Sequence, residues 1–203
     1  DLAVLNQYDG SVSILLGDNT GNFTLAAKYP VGKLPHALVV ADLNGDTFVD
    51  FAVANYLDDA ITIYLGDGTG SFVFASNVLT ASGPTDLKAE DFDLDGNLDL
   101  IVVQSSAARI SIFKGNGDGT FIALPITDQA TLPTPRKITI DNNQINKNGF
   151  INVLVNYWNS SIISIFKGNA IGNLTLDLEI TDSERITKIA IGDISNDGNG
   201  DLI

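Results

Sequence analysis

Oxygen-bearing side chains recur at fixed positions in three nine-residue segments of the sequence, residues 42–50, 91–99 and 193–201. Positions 1, 5 and 9 of each segment are aspartate, and position 3 is asparagine, aspartate or serine. The residues are Asp42, Asn44, Asp46 and Asp50, then Asp91, Asp93, Asp95 and Asp99, then Asp193, Ser195, Asp197 and Asp201. Three or four carboxylates within nine residues repel one another unless a cation lies between them.

The chemistry that this donor set favours is the binding of a hard dication. Calcium takes six to eight oxygen ligands at about 2.4 Å, a backbone carbonyl at position 7 can add a ligand, and glycine at position 6 permits the turn. The chain has no cysteine and one histidine, which disfavours zinc and copper. Calcium is favoured over magnesium because the loop itself supplies most of the ligand shell.

Two other interpretations apply to these segments. Asp-Gly and Asn-Gly are also common in ordinary turns, so a single such loop would not distinguish a turn from a calcium site. Three loops with aspartate at the same three positions favour calcium. A helical EF-hand requires glutamate at position 12, where this chain has Val53 and Val102, and the flanking segments are strands. The EF-hand is therefore excluded.

The corresponding segment of the third repeat, residues 141–152, is longer and has amides where the others have carboxylates. Amides attract a dication weakly, and Lys147 opposes it. We predict that this loop binds no calcium and that amide hydrogen bonds hold its turn. Asp1 stands where Asp50 stands in the next repeat, and would complete a preceding site.

The acidic segments belong to a repeat of about 49 residues, which must position them. Similar segments begin at residues 1, 50, 99, 152 and 201. A second, glycine-rich marker keeps the same step at residues 17–23, 66–72, 115–121 and 168–174. Two markers in one register make chance repetition improbable.

Each repeat contains four short apolar runs bounded by Gly, Pro, Asn and Asp, which in the second repeat are residues 37–41, 51–55, 60–65 and 72–78. Four antiparallel strands per unit of this length are typical of a β-propeller blade. We therefore predict an all-β fold with about four propeller blades in a single domain over residues 1–203. The chain is expected to be a fragment of a larger ring, or a half-ring that self-associates to complete it.

The composition limits the partners. The formal net charge is −14, so a phosphate backbone would be repelled and nucleic acid is an improbable partner. No apolar run reaches the roughly 18 residues that span a bilayer, so membrane insertion is not expected.

These loops and glycine-rich turns resemble FG-GAP/VCBS repeats, as in the propellers of integrin α-subunits. The resemblance implies that the twelve side chains named above ligate calcium, joined by the backbone carbonyls of Phe48, Asn97 and Asn199. It also implies an extracellular or cell-surface location and a role in adhesion, sugar binding or substrate docking.

The face opposite the acidic loops carries Tyr8, Tyr56, Tyr157 and Trp158, which are candidate ligand-binding residues because exposed aromatics suit sugars and protein partners. Packing between blades is the alternative for each of them. We predict a calcium-stabilised recognition or adhesion scaffold for protein or glycan partners, and not an enzyme. The alternatives are a lectin with sugar sites between blades and a non-catalytic domain of a polysaccharide-processing enzyme.

Overall fold

The computed structural model describes residues 1–123, 129–142, 145 and 149–203, and within them the fold is all-β, as predicted. No helical segment in these residues has the length and apolar character needed to cross a membrane. The strands are β1 (Leu2–Asn6), β2 (Ser11–Gly17), β3 (Phe23–Pro30), β4 (Pro35–Ala41), β5 (Asp50–Asn55), β6 (Ala60–Gly66), β7 (Phe72–Leu79), β8 (Pro84–Glu90), β9 (Asp99–Gln104), β10 (Arg109–Gly115), β11 (Phe121–Ala123), β12 (Gln129–Ala130), β13 (Pro135–Asp141), β14 (Asn152–Tyr157), β15 (Ile162–Gly168), β16 (Leu174–Thr181), β17 (Ile191–Gly192) and β18 (Asp201–Leu202).

The strands form five antiparallel sheets, here called blades 1 to 5. Blade 1 has the order β1-β2-β3, blade 2 β4-β5-β6-β7 and blade 4 β13-β14-β15-β16. Blade 3 has the order β8-β9-β10-β11, with β12 also paired to β10, and blade 5 contains β17 and β18. Within the described residues, none of these sheets closes on itself. The fold is a partial β-propeller of about four blades.

Each sequence repeat begins at the second strand of a blade, so it starts one strand later than the blade does. Asp50 and Asp99 begin β5 and β9, which are the second strands of blades 2 and 3. The acidic segments therefore join the first and second strands of a blade, and the glycine-rich markers join the third and fourth, as the sequence predicted.

The second strands of blades 2, 3 and 4 have continuous apolar runs because both of their faces are covered. In β5, Phe51 and Val53 pack against blade 1, whereas the alternating Ala52 and Ala54 pack against blade 3. The same alternation places Leu100 and Val102 of β9 against blade 2, and Ile101 and Val103 against blade 4. Burying a side chain such as valine, isoleucine or phenylalanine stabilises the fold by about 1.5–3 kcal/mol. The core is thus a series of layers between neighbouring blades, and it fixes the positions of the loops at the strand ends.

Candidate functional site

Asp50, the last aspartate of the first acidic loop, is the first residue of β5 and connects three parts of blade 2. Asp50 is fully buried, and its Oδ2 accepts a hydrogen bond from the backbone N–H of Leu43 at 2.8 Å. Its Oδ1 accepts from the N–H of Gly66, also at 2.8 Å. Gly66 opens the glycine-rich turn between β6 and β7, so one carboxylate fixes the acidic loop to that turn.

The same link between the start of the second strand and the glycine turn recurs in blades 1, 3 and 4. The N–H of Gly17 donates to Asp1 at 2.9 Å and that of Gly115 to Asp99 at 2.9 Å, while Gly168 donates to the amide oxygen of Asn152 at 3.4 Å. The two sequence markers keep a common step because they contact each other in blades 1 to 4.

Close approach of the backbone explains why this position is glycine. A Cβ on Gly66 would lie 2.2 Å from the carbonyl oxygen of Val49. On Gly115 it would lie 2.1 Å from the carbonyl oxygen of Leu98. The carbonyl that precedes the last aspartate therefore fills the space where any other residue would place its Cβ.

The first aspartate of each loop holds the turn closed. Asp42 accepts hydrogen bonds from the N–H groups of Gly45 and Thr47, both at 2.8 Å. Asp91 accepts in the same way from Asp95 at 3.0 Å and Gly96 at 2.9 Å. In the last loop the corresponding contacts of Asp193 are to Asp197 at 3.1 Å and Gly198 at 2.9 Å.

The residues predicted to offer position-7 carbonyls have a common hydrogen bond. The N–H groups of Phe48, Asn97 and Asn199 donate to the aspartates at position 5, which are Asp46, Asp95 and Asp197, each at 2.8 Å. The residues at position 3 differ in the hydrogen bonds that they form. Asn44 donates its side-chain amide to Asp46 at 2.9 Å, whereas Ser195 donates its backbone N–H to Asp201 at 3.0 Å.

Three carboxylates converge in the loop of blade 3. Asp91, Asp93 and Asp99 each offer an oxygen atom, and these three atoms lie within 4.8 Å of one another. Opposite ligands of a calcium ion are separated by about twice the 2.4 Å bond length, so this donor set fits such an ion. In residues 42–50 and 193–201, which the structure describes in full, no three carboxylate oxygens come that close.

Burial is the main influence on the last aspartate of this loop and of the loop in blade 2. Burial raises the pKa of Asp99 to about 6, and the charges of Asp93 and Asp95 act in the same direction, against the N–H groups of Gly115 and Phe92. In blade 2, burial likewise raises the pKa of Asp50. A dication would favour the charged form of both carboxylates.

Lys114 is a further member of the blade 3 cluster that the sequence analysis did not identify. Its ammonium group contacts Asp93, and lies 2.8 Å from Oδ2 of Asp95. These contacts raise the pKa of Lys114 and lower that of Asp95. Leu65 holds the equivalent position in blade 2. The signal in the sequence is a lysine immediately before the glycine that opens the turn.

The loop of blade 4 differs in register as well as in length. Asp141 pairs with Asn152 across the strands, as Ala41 pairs with Asp50, so Asp141 lies one residue before the position of Asp42. The Asn152 amide donates to the Asp141 carboxylate at 3.0 Å. This contact is an amide hydrogen bond of the predicted kind. Lys147, predicted to oppose a cation here, lies outside the described residues, and the absence of calcium from this loop stays a prediction.

On the opposite face, the aromatic residues have different environments. Tyr8 is 98% exposed. Tyr56 stacks on His36 with ring centroids 4.8 Å apart, and its hydroxyl lies 3.1 Å from that of Ser106 in blade 3. Trp158 is half-exposed, and the Arg136 guanidinium lies 4.1 Å from its ring centroid. Tyr8, Tyr56 and Trp158 therefore belong to this surface.

His36 and Arg136 meet these rings because each is the extra residue of a β-bulge. The register of β4 against β5 shifts between Pro35 and Ala37, and that of β13 against β14 shifts between Pro135 and Lys137. A bulge re-aims the side chain of its extra residue.

Tyr157 is not part of the exposed aromatic surface that the sequence predicted. It is 2% exposed, and its hydroxyl donates to Ser164 at 2.7 Å. The same step of seven residues links a polar side chain to a hydroxyl in the other blades. These pairs are Asn6 with Ser13 at 2.8 Å, Asn55 with Thr62 at 2.8 Å, and Gln104 with Ser111 at 3.0 Å. Tyr157 stands at the repeat position of Asn6, Asn55 and Gln104, so aligning the repeats would have predicted that its hydroxyl bonds inside the blade and that its side chain is buried.

Comparison with known proteins adds a family and a fold. The family described as FG-GAP-like repeat matches residues 1–53 and 42–102. A comparison with curated proteins found no significant match. Among solved structures, a protein from Lactobacillus plantarum aligns with a TM-score of 0.66 at 20% identity, over 88% of this chain and 53% of that one.

Two other solved structures have the same fold at lower identity. A candidate 6-phosphogluconolactonase from Bacteroides uniformis aligns with a TM-score of 0.67 at 15% identity, over 94% of this chain and 60% of that one. BBS1N, crystallised in complex with ARL6DN, aligns with a TM-score of 0.59 at 14% identity, over 91% of this chain and 58% of that one. The present chain thus spans between half and two thirds of the length of these proteins. At such identities the likeness concerns the fold alone.

Proposed function

The chain belongs to the FG-GAP-like repeat family, and from this premise we propose that it is a calcium-stabilised recognition or adhesion scaffold, outside the cell or on its surface. The observation that carries the proposal is the convergence of three carboxylates, those of Asp91, Asp93 and Asp99, of which that of Asp99 is buried. A buried carboxylate beside other carboxylates is costly unless a cation or a proton compensates it.

The proposed role of calcium is to hold the strands of a blade together. Asp91 follows the first strand of blade 3, Asp99 begins the second, and Asp99 also binds Gly115 at the end of the third. An ion held by these carboxylates would supply positive charge where the three strands meet. At a calcium concentration 100 times the dissociation constant, each site adds about 2.7 kcal/mol to the free energy of unfolding.

We propose no catalytic role. The aspartates that converge belong to the loops, where hydrogen bonds to backbone N–H groups fix them. The candidate 6-phosphogluconolactonase shares the propeller fold with this chain, and a fold does not determine an activity. A non-catalytic domain of a larger polysaccharide-processing enzyme is compatible with the same scaffold role.

Calcium binding is tested by native mass spectrometry and by thermal unfolding in calcium and in EGTA. We expect three ions per chain, held by residues 42–50, 91–99 and 193–201, and a melting temperature that is several degrees higher in calcium. Asp91→Asn should remove one ion. Glu184→Gln, which removes one negative charge at an exposed position outside the loops, should remove none. No bound ion, together with equal melting temperatures in calcium and EGTA, would contradict the proposal.

Glycan binding on the aromatic face is a second candidate function, favoured by the half-exposed Trp158 ring beside Arg136. Aromatic rings next to polar groups suit the apolar faces of sugars. A glycan array probed with the wild type and with Trp158→Ala tests it. A glycan retained by the wild type and lost by the variant supports this candidate, and equal binding by both proteins argues against it.

A further inference from the structure

A cavity of about 380 Å³ opens between blades 1 and 2, away from the acidic loops. Gly32 from the connection after blade 1 forms one side of it, and Asp58, Tyr64, Phe74 and Asn77 of blade 2 form the other. The cavity exceeds the size of one long side chain. Its wall is mixed, with aromatic rings on the outer strands and one carboxylate at the loop.

In blade 1, a lysine and an aspartate stand at the positions of Asn77 and Asp58. Asp9 and Lys28 lie 49 residues before Asp58 and Asn77, at the same points of the repeat. The Lys28 ammonium lies 3.3 Å from Asp9, so in blade 1 a lysine from the outer strand pairs with the loop carboxylate. In blade 2 the equivalent residue is the shorter Asn77, which lines the cavity.

The groups around the cavity retain binding capacity. Oδ2 of Asp58 accepts the N–H of Lys33 at 2.7 Å, and within the described residues Asp58 forms no ion pair. Asn77 accepts the Thr62 hydroxyl through Oδ1 at 2.8 Å, which leaves its amide N–H₂ to donate. The Phe74 ring is half-exposed. A cation with an apolar stem matches this combination of carboxylate and aromatic wall.

We propose that this cavity binds a lysine side chain of a protein partner, with the ammonium on Asp58 and the methylene stem along Tyr64 and Phe74. The inference rests on the proposed recognition function and names its partner chemistry. Lys28 on Asp9 is the intramolecular precedent for the contact. The net charge of −14 attracts cationic partners over a distance and repels acidic ones.

The test is an NMR titration of the ¹⁵N-labelled chain with Nα-acetyl-lysine amide, repeated in calcium and in EGTA. The neutral probe Nα,Nε-diacetyl-lysine amide is the matched ligand control. We expect saturable shifts of the Asn77 side-chain amide and of Gly32 with the charged probe only. Asp58→Asn should weaken binding at least about tenfold.

Two further variants separate binding from folding. Asn77→Lys reproduces the blade 1 arrangement, so it should abolish binding while leaving the melting temperature within about 1 °C of the wild type. Asp9→Asn makes the same chemical change as Asp58→Asn outside the cavity and should leave binding unchanged.

Equal shifts with the neutral probe, undiminished binding by Asn77→Lys, or saturable binding of a methyl glycoside in place of the charged probe would overturn the lysine assignment. Its failure is distinguishable from failure of the calcium proposal, because bound calcium is counted separately by mass spectrometry. A lysine-binding chain without calcium would refute only the calcium proposal.

Discussion

Replacing Asp99 by asparagine should stabilise the calcium-free protein and destabilise the calcium-bound one. Asp99 is 1% exposed, and burial raises its pKa from 3.8 to about 6. Each pKa unit corresponds to about 1.4 kcal/mol, so keeping this carboxylate ionised at pH 7 costs the folded state about 3 kcal/mol relative to the unfolded chain. Asparagine removes that cost. It also loses one of the two accepted N–H groups, from Phe92 or Gly115, at about 1 kcal/mol.

The expected net change in EGTA at pH 7 is therefore a gain of about 1–2 kcal/mol, or roughly 4 °C in melting temperature for a chain of this size. In calcium the sign should reverse, because the variant lacks a charged ligand and loses the stabilisation contributed by that site. Asn152, which accepts from Gly168 in blade 4, shows that the fold accommodates an amide at the equivalent position.

The pH dependence follows from the same pKa. Because the folded pKa of Asp99 is raised, its stabilising contribution is complete below pH 3.8 and is lost as the pH rises through about 6. In EGTA, the ionisation of Asp99 should therefore lower the free energy of unfolding of the wild type as the pH rises through this range. In Asp99→Asn this decrease should be smaller. The assay is thermal unfolding from pH 4 to 7 in both conditions, with Glu184→Gln as the control for net charge. If Asp99→Asn shifted the melting temperature at pH 7 in the same direction in calcium and in EGTA, the reasoning would be refuted.

Three further changes have defined outcomes. Lys114→Leu removes two ion pairs, so it should lower the melting temperature slightly in EGTA and tighten calcium binding at its loop severalfold, as measured by isothermal titration calorimetry. Gly66→Ala places a Cβ 2.2 Å from a backbone oxygen, so it should lower the free energy of unfolding in urea by about 2–4 kcal/mol. Gly96→Ala, where the space around the Cβ is open and φ is 92°, should lower it by only about 1 kcal/mol. Asn152→Asp replaces an amide donor beside buried Asp141 by a second carboxylate, so it should destabilise by about 3 kcal/mol at pH 7 and recover on acidification; a loss independent of pH would contradict this.

Local features of the chain were predictable because they depend on residues close together in sequence. The positions of the strands follow from apolar runs bounded by turn residues. The second strands of blades 2 to 4 have continuous apolar runs because neighbouring blades cover both of their faces. The acidic loops and glycine-rich turns were placed correctly between their strands for the same reason. Among the three loops, only residues 91–99 have an aspartate at position 3, and Asp93 is the residue that completes the cluster.

Contacts between distant residues were not predictable in this way. Tyr157 and Trp158 are adjacent and both aromatic, yet one is buried and the other half-exposed, because β14 ends between them. The residues next to them in sequence do not distinguish the two, and only alignment with the other repeats does. The contact of Lys114 with Asp93 depends on how the third strand of a blade lies beside its first loop.

The sequence by itself therefore determined the strands and the spacing of oxygen-bearing side chains, since each is a pattern of neighbouring residues, and it determined the repeat, since the same patterns recur along the chain. Only the tertiary structure decided that the acidic loop and the glycine turn share one hydrogen bond through Asp50 and Gly66. It also decided that Asp58 faces a cavity while its counterpart Asp9 faces a lysine. The physical reason is that these contacts arise when strands and blades pack, and packing joins residues that no local pattern relates.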